Sequence, residues 1–118
     1  MVRLGLALVA LCLAFTLPAS ARDMVVQGKW YHPKYENRPM KSGLPYHGRD
    51  ATIVASRDQK QFPIGTHLYV TNTANGCSHE VIVQDKSPYV ALDFSEAAAE
   101  QLCFKDAGRA TLRVAIIP

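Results

Sequence analysis

Val81 to Ser95, reading VIVQDKSPYVALDFS, restricts the fold more than any other stretch of this chain. Val81, Ile82 and Val83 are β-branched, so the segment enters as a half-buried strand. Gln84-Asp85 ends it, and Lys86-Ser87-Pro88 breaks it, because proline cannot donate to a ladder. An apolar return, Tyr89 to Leu92, leads to Asp93 and then to Ser95, a good N-cap for the run EAAAEQL. One carboxylate therefore stands where a strand gives way to a loop, and a second stands at the mouth of a helix. Loops held by a rigid frame are where small β domains carry chemistry.

The first 21 residues have the pattern of a secretory signal peptide: Arg3, an apolar run from Leu4 to Leu17, and Ala19-Ser20-Ala21 as an A-x-A cleavage site. The run is short for a membrane span. Leu11 precedes Cys12 where a lipoprotein signal needs a small residue, so lipidation is not expected. The expected mature chain, Arg22 to Pro118, is one domain with a modest core, periplasmic or secreted, monomeric, and without stable membrane insertion once the signal is cleaved. The formal net charge of the 118-residue chain is only +3, with no basic stripe, which argues against nucleic acid as a partner. No Cys/His cluster suggests zinc, and no metal or cofactor is expected. Cys77 and Cys103 remain after the signal. In an oxidising compartment an even count favours a disulfide; two separate buried thiols are the alternative.

Along the chain, Met24 to Gln27 is a short apolar run suited to a first strand, followed by Trp30-Tyr31. His32 to His47 is rich in Pro, Lys, Asn and Gly and predicts a long loop wrapped over the domain, a length that is usually functional or mobile. Ala51 to Ala55 predicts a strand, Phe62 to Thr66 a turn, and His67 to Thr71 a half-buried strand with alternating polarity. Asn75-Gly76 is a strong hairpin signal that returns the chain through His79 to Gln84. Phe94, Ala98 and Leu102 form the apolar stripe of one helix over Ser95 to Leu102. Ala110 to Ile117 alternates as a last strand. Five or six short strands and one short helix favour a mainly β, closed barrel, which removes edges from so few strands. Residues 22–47 are read as an N-terminal extension and long loop, and residues 48–118 as the barrel core.

FPIGTHLYVTNTANG, VIVQDKSPY, LDFSEAAAEQL and the final strand together resemble the rare-lipoprotein-A family, bacterial cell-envelope proteins that include septal lytic transglycosylases. The resemblance spans about Lys29 to Ile117 and implies a six-stranded double-psi β-barrel. Trp30-Tyr31-His32 stands where that family has WYG, Phe62 to Thr66 matches LPFGT, Asp85 to Pro88 matches DRGP, and Leu92 to Ser95 matches IDLS. Two features depart from the family. Its glutamate in TANGE falls on Leu44, and its TAAH histidine falls on Ser56 or Gln59. The run ASRDQKQFPIGTHLYV also resembles a related three-aspartate domain, which would group Asp58, Asp85 and Asp93.

The resemblance implies peptidoglycan or another polysaccharide as partner, and a lytic transglycosylase-like activity with Asp85 as acid/base and Asp58 in support. A transglycosylase needs one group that first donates and then accepts a proton. A non-catalytic glycan-binding or envelope-structural module is the alternative, favoured by the missing glutamate and histidine. Trp30, Tyr31 and Tyr89 are candidates to line a sugar groove, with Tyr46 beside them and Asp93 as a further substrate contact. Each has a plainer reading. Asp85 would be a turn aspartate, Asp93 a carboxylate paired with the helix dipole, Asp58 a solvated charge, and the aromatic residues ordinary packing.

Overall fold

The computed structural model describes residues 23–118, so the expected signal peptide lies outside the described residues. Six strands close into a barrel: β1 (Met24–Trp30), β2 (Ile53–Ser56), β3 (His67–Asn72), β4 (Ser78–Lys86), β5 (Leu92–Phe94) and β6 (Arg109–Ile117). Their order around the barrel is β1-β5-β2-β4-β3-β6. β1–β5 and β2–β4 are parallel pairs between strands far apart in sequence, and the other pairings are antiparallel. This is the double-psi β-barrel that the resemblance implies. One short helix, α1 (Glu96–Gln101), follows β5.

Alternation along each strand fills the interior. Val54, Leu68, Val70, Val81, Val83, Leu92, Phe94, Leu112 and Val114 are buried in one cluster, and burial of each such side chain contributes about 1.5–3 kcal/mol. Ala98 and Leu102 of the helical stripe join them, as does Ala99. Ser95 caps α1 as expected: its Oγ accepts from the Ala98 N–H at 3.1 Å and donates to the Asp50 carbonyl at 2.7 Å.

Three expectations are corrected. The barrel does not begin at residue 48, because β1 is one of its six strands. Its backbone pairs with β5 on one side and β6 on the other, and without it both would be open edges. The predicted Ala51 to Ala55 strand starts at Ile53, because the Asp50 carboxylate accepts from the N–H and hydroxyl of Thr52 and turns the chain there. Leu92 to Phe94, expected only as an approach to the helix, is a strand hydrogen-bonded on both sides.

The middle of β1 is too crowded to take a side chain without a shift of its neighbours. A Cβ on Gly28 would lie 2.5 Å from Leu112 Cδ1 and 2.9 Å from Phe94 Cε1. Gly28→Ala is therefore expected to destabilise the barrel by about 1–3 kcal/mol through overpacking, read as a lowered urea midpoint; an unchanged midpoint would show that the barrel relaxes around the methyl.

The long loop is ordered. A 3-10 turn, Pro33–Tyr35, follows β1, and a bridge joins Pro39 to Pro45. Tyr31, Met40 and Tyr46 pack on Ile53 and Ala55 as a second apolar cluster, outside the barrel, with Tyr35 at its edge. No helix among the described residues is long and apolar enough to cross a membrane.

Candidate functional site

The outer face of the barrel acquires its chemistry through register. Ala55 of β2 is the partner of Asp93 on β5 and also of Asp85 on β4. Partners on adjacent strands point to the same face, so the two acids flank one alanine methyl. Their Cα atoms are two strand spacings apart, roughly 9–10 Å. Tyr31 fills the space above Ala55. It is 7 % exposed, and its ring stacks on Tyr46 at 4.2 Å.

Asp85 is held by three donors. Its Oδ2 accepts from the Tyr31 hydroxyl at 2.7 Å, and its Oδ1 accepts from the N–H groups of Lys41 and Lys86, both at 2.9 Å. The expected turn aspartate is thus also a tie between barrel and long loop. Burial, followed by the hydrogen bond to Asp85, pushes the Tyr31 phenol well above its ordinary value. Tyr46 is pushed up to about 12, chiefly by burial.

Asp93 is different. Its Oδ1 is buried and has no hydrogen-bond partner. It does not cap α1, a role that Ser95 fills. Burial raises its pKa to about 6, with Lys29 opposing and the charge of Asp85 adding to the rise. Lys29 is its register partner on β1. Asp93 lines an open groove of about 410 Å³ walled by Trp30, Tyr31, His32, Tyr35 and Tyr89. The Trp30 indole N–H donates to the Lys105 carbonyl at 3.1 Å, which fixes that wall. Tyr89 stands at the rim, 82 % exposed.

The structure therefore brings Asp93, Trp30, Tyr31 and Tyr89 to one groove, with Asp85 behind Tyr31. Asp58 is elsewhere. Its Oδ1 accepts from the N–H groups of Lys60 and Gln61 in a local turn, and it lines a separate recess with Arg57, Gln61 and Phe62. Leu44 is exposed at the tip of the long loop. Ser56 is buried, donating to the Phe62 carbonyl and accepting from Gln59 Nε2, so both candidate histidine positions are engaged in internal hydrogen bonds. Lys29 and Tyr35 also line the groove and were not singled out from the sequence. Lys29 was detectable in principle, as an outward position of an alternating strand next to Trp30.

Comparison with known proteins bears on this geometry. No family model matches the sequence. The endolytic peptidoglycan transglycosylase RlpA of Pseudomonas aeruginosa is 31% identical over 99 residues, covering 81% of this chain and 28% of that protein. The protein of the same name from Neisseria meningitidis is 33% identical over 88 residues, covering 72% of this chain and 35% of that protein. This chain is an RlpA-like double-psi β-barrel. It spans about a third of the length of these curated relatives. Among solved structures, Streptomyces papain inhibitor superimposes with a TM-score of 0.65 at 21% identity, over 82% of this chain and 96% of that one, a likeness of fold alone. Within the RlpA-like barrel, Cys77 and Cys103 form a disulfide with a Cα separation of 6.1 Å.

Proposed function

We propose that this RlpA-like barrel cleaves peptidoglycan glycan strands by lytic transglycosylation, as a monomer in the periplasm or outside the cell. The observation that carries the reading is Asp93: a groove carboxyl with an unpartnered buried oxygen and a pKa near 6. Such a group holds a proton in mildly acidic conditions and can exchange it with a bound sugar. Asp85, the acid/base expected from the sequence, works with it as the other half of the pair. It fixes Tyr31 between the two acids and contributes charge that raises Asp93. In the reaction, the carboxyl proton passes to the glycosidic oxygen as the C1–O bond breaks. The carboxylate then takes the proton of the sugar's own 6-hydroxyl as the C1–O6 bond forms. No water is consumed.

The second reading, a non-catalytic glycan-binding module, is favoured by Leu44, an exposed apolar side chain where the resembled family has its glutamate. Incubation with purified sacculi separates the two. Anhydro-ended fragments, lighter by one water than hydrolysis products, support the enzyme; binding without release supports the module. Asp85→Asn is expected to reduce release strongly. It should also loosen the long loop by about 1 kcal/mol, because the amide nitrogen cannot accept from one of the present donors. Full release by Asp85→Asn would leave Asp93 acting without it.

A further inference from the structure

The row that begins at Asp85, Ala55 and Asp93 continues across two more strands. Lys29 of β1 partners Asp93, and Arg109 of β6 partners Lys29. Both cations are exposed, and neither forms an ion pair among the described residues. Like charges directly opposite each other on paired strands are destabilising. A fold keeps such a pair at a cost to its own stability, and a bound anion would relieve that cost. Lys29 lines the groove beside Asp93. Arg109 lines the neighbouring recess, where Gln27, Thr73, Asn75 and Thr111 offer amides and hydroxyls. The two depressions thus meet at the cation pair.

Resting on the glycan reading above, we propose that Lys29 and Arg109 form a carboxylate site that selects glycan strands whose sugars carry acidic substituents. A strand laid along the row would present its scissile bond to Asp93. A carboxylate on the adjoining sugar substituent would meet Lys29 and Arg109, one to two strand spacings away, roughly 5–10 Å. The amide and hydroxyl recess beyond would take the polar remainder of that substituent. Arginine supplies a planar fork for a carboxylate, and lysine supplies a mobile point charge.

The test is a binding assay with two probes: native purified sacculi, and the same sacculi with carboxyls converted to neutral amides by carbodiimide and ammonia. Wild type should bind the native material roughly 10-fold more tightly, with the difference shrinking at high salt. Lys29→Gln/Arg109→Gln should lose that preference, bind amidated sacculi as wild type does, and melt at or above wild type because the repulsion is gone. Arg57→Gln/Lys60→Gln, beside the Asp58 recess, removes the same charge and should keep the preference. Equal wild-type binding to both probes, or binding to neither, overturns the proposal. So does an unchanged preference in the Lys29/Arg109 variant, or an equal loss in the Arg57/Lys60 variant. Each single variant, Lys29→Gln and Arg109→Gln, should weaken the preference in part. The two readings fail separately. Preference without anhydro-ended release defeats only the enzyme, and release without preference defeats only the carboxylate site.

Discussion

Asp93→Asn should abolish the release of anhydro-ended fragments and, at pH 8, melt above wild type. The variant keeps the size of the side chain but cannot cycle a proton, and loss of general acid/base catalysis costs about 10²–10⁴ in rate. The gain in stability follows from the same burial. In the unfolded chain Asp93 loses its proton near the ordinary carboxylate value of 3.8, whereas in the folded chain it does so at about 6. From about pH 4 upward the folded state therefore binds more protons than the unfolded state, so stability falls as pH rises through 6 and is level above it. The gap corresponds to at most ~3 kcal/mol, and partial solvent access brings the expected gain for the variant to about 1–3 kcal/mol at pH 8. Below about pH 4 that gain should vanish. Thermal melts of both proteins at pH 3.5 and 8 check this; a variant less stable than wild type at pH 8 would show that Asp93 makes favourable contacts as an anion. The wild-type rate should likewise decline above about pH 6, as the donor loses its proton.

Removing the disulfide should have the second-largest effect. Cys77 ends the β3–β4 turn and Cys103 follows α1, at a sequence separation of 26. Closing a loop of that length restricts the unfolded chain by about 3–4 kcal/mol. Cys77→Ser/Cys103→Ser is expected to lower the melting temperature by more than ~10 °C for a domain of this size. The native turn should survive, because Asn72 Nδ2 donates to the Leu102 carbonyl at 2.9 Å and Asn75 Nδ2 to the Cys103 carbonyl at 3.2 Å. Cys103 sits at φ +60°, a conformation that glycine adopts without cost. Cys77→Ser/Cys103→Gly should therefore recover ~1 kcal/mol of the loss. A double variant with the urea midpoint of wild type would mean that the unfolded chain is already restricted without the bond.

Much of the fold could be read locally. Ser95 before an alanine run, Asn75-Gly76 between alternating segments, and the long even alternation of β6 each specify their own neighbourhood, and each is found where expected. β5 is too short to announce itself. Three residues become a strand only because β1 and β2 supply hydrogen-bond partners on both sides. The site was half legible. Asp85, Asp93, Trp30, Tyr31 and Tyr89 were candidates on chemistry and resemblance, and the structure gathers four of them at one groove with Asp85 behind. Asp58, expected to support Asp85, instead accepts from the backbone amides of Lys60 and Gln61 in its own turn. What no local signal carries is register across the barrel. Nothing near Ala55 in the chain says that two acids will flank it, and nothing near Lys29 says that Arg109 will stand opposite.

The small cluster of Tyr31, Met40 and Tyr46 on Ile53 and Ala55 has a consequence for how the molecule opens. It shares no buried residue with the barrel interior. Asn37 N–H to the Tyr46 carbonyl at 2.8 Å and Tyr46 N–H to the Arg38 carbonyl at 2.8 Å are ties internal to the loop, and among the described residues only Ser42 N–H to the Gln84 carbonyl at 3.0 Å and Lys41 N–H to Asp85 Oδ1 at 2.9 Å join its middle to β4. Once those two bonds to β4 break, the segment can lift as a unit while the six strands stay paired. In hydrogen exchange the Asn37, Met40 and Tyr46 amides should trade with solvent well before those of Val70 or Val83. When the segment lifts, Tyr31, held to β5 by its N–H bond to the Phe94 carbonyl at 2.9 Å, loses the Tyr46 ring stacked on it, so the covering of the groove wall depends on whether the loop is seated.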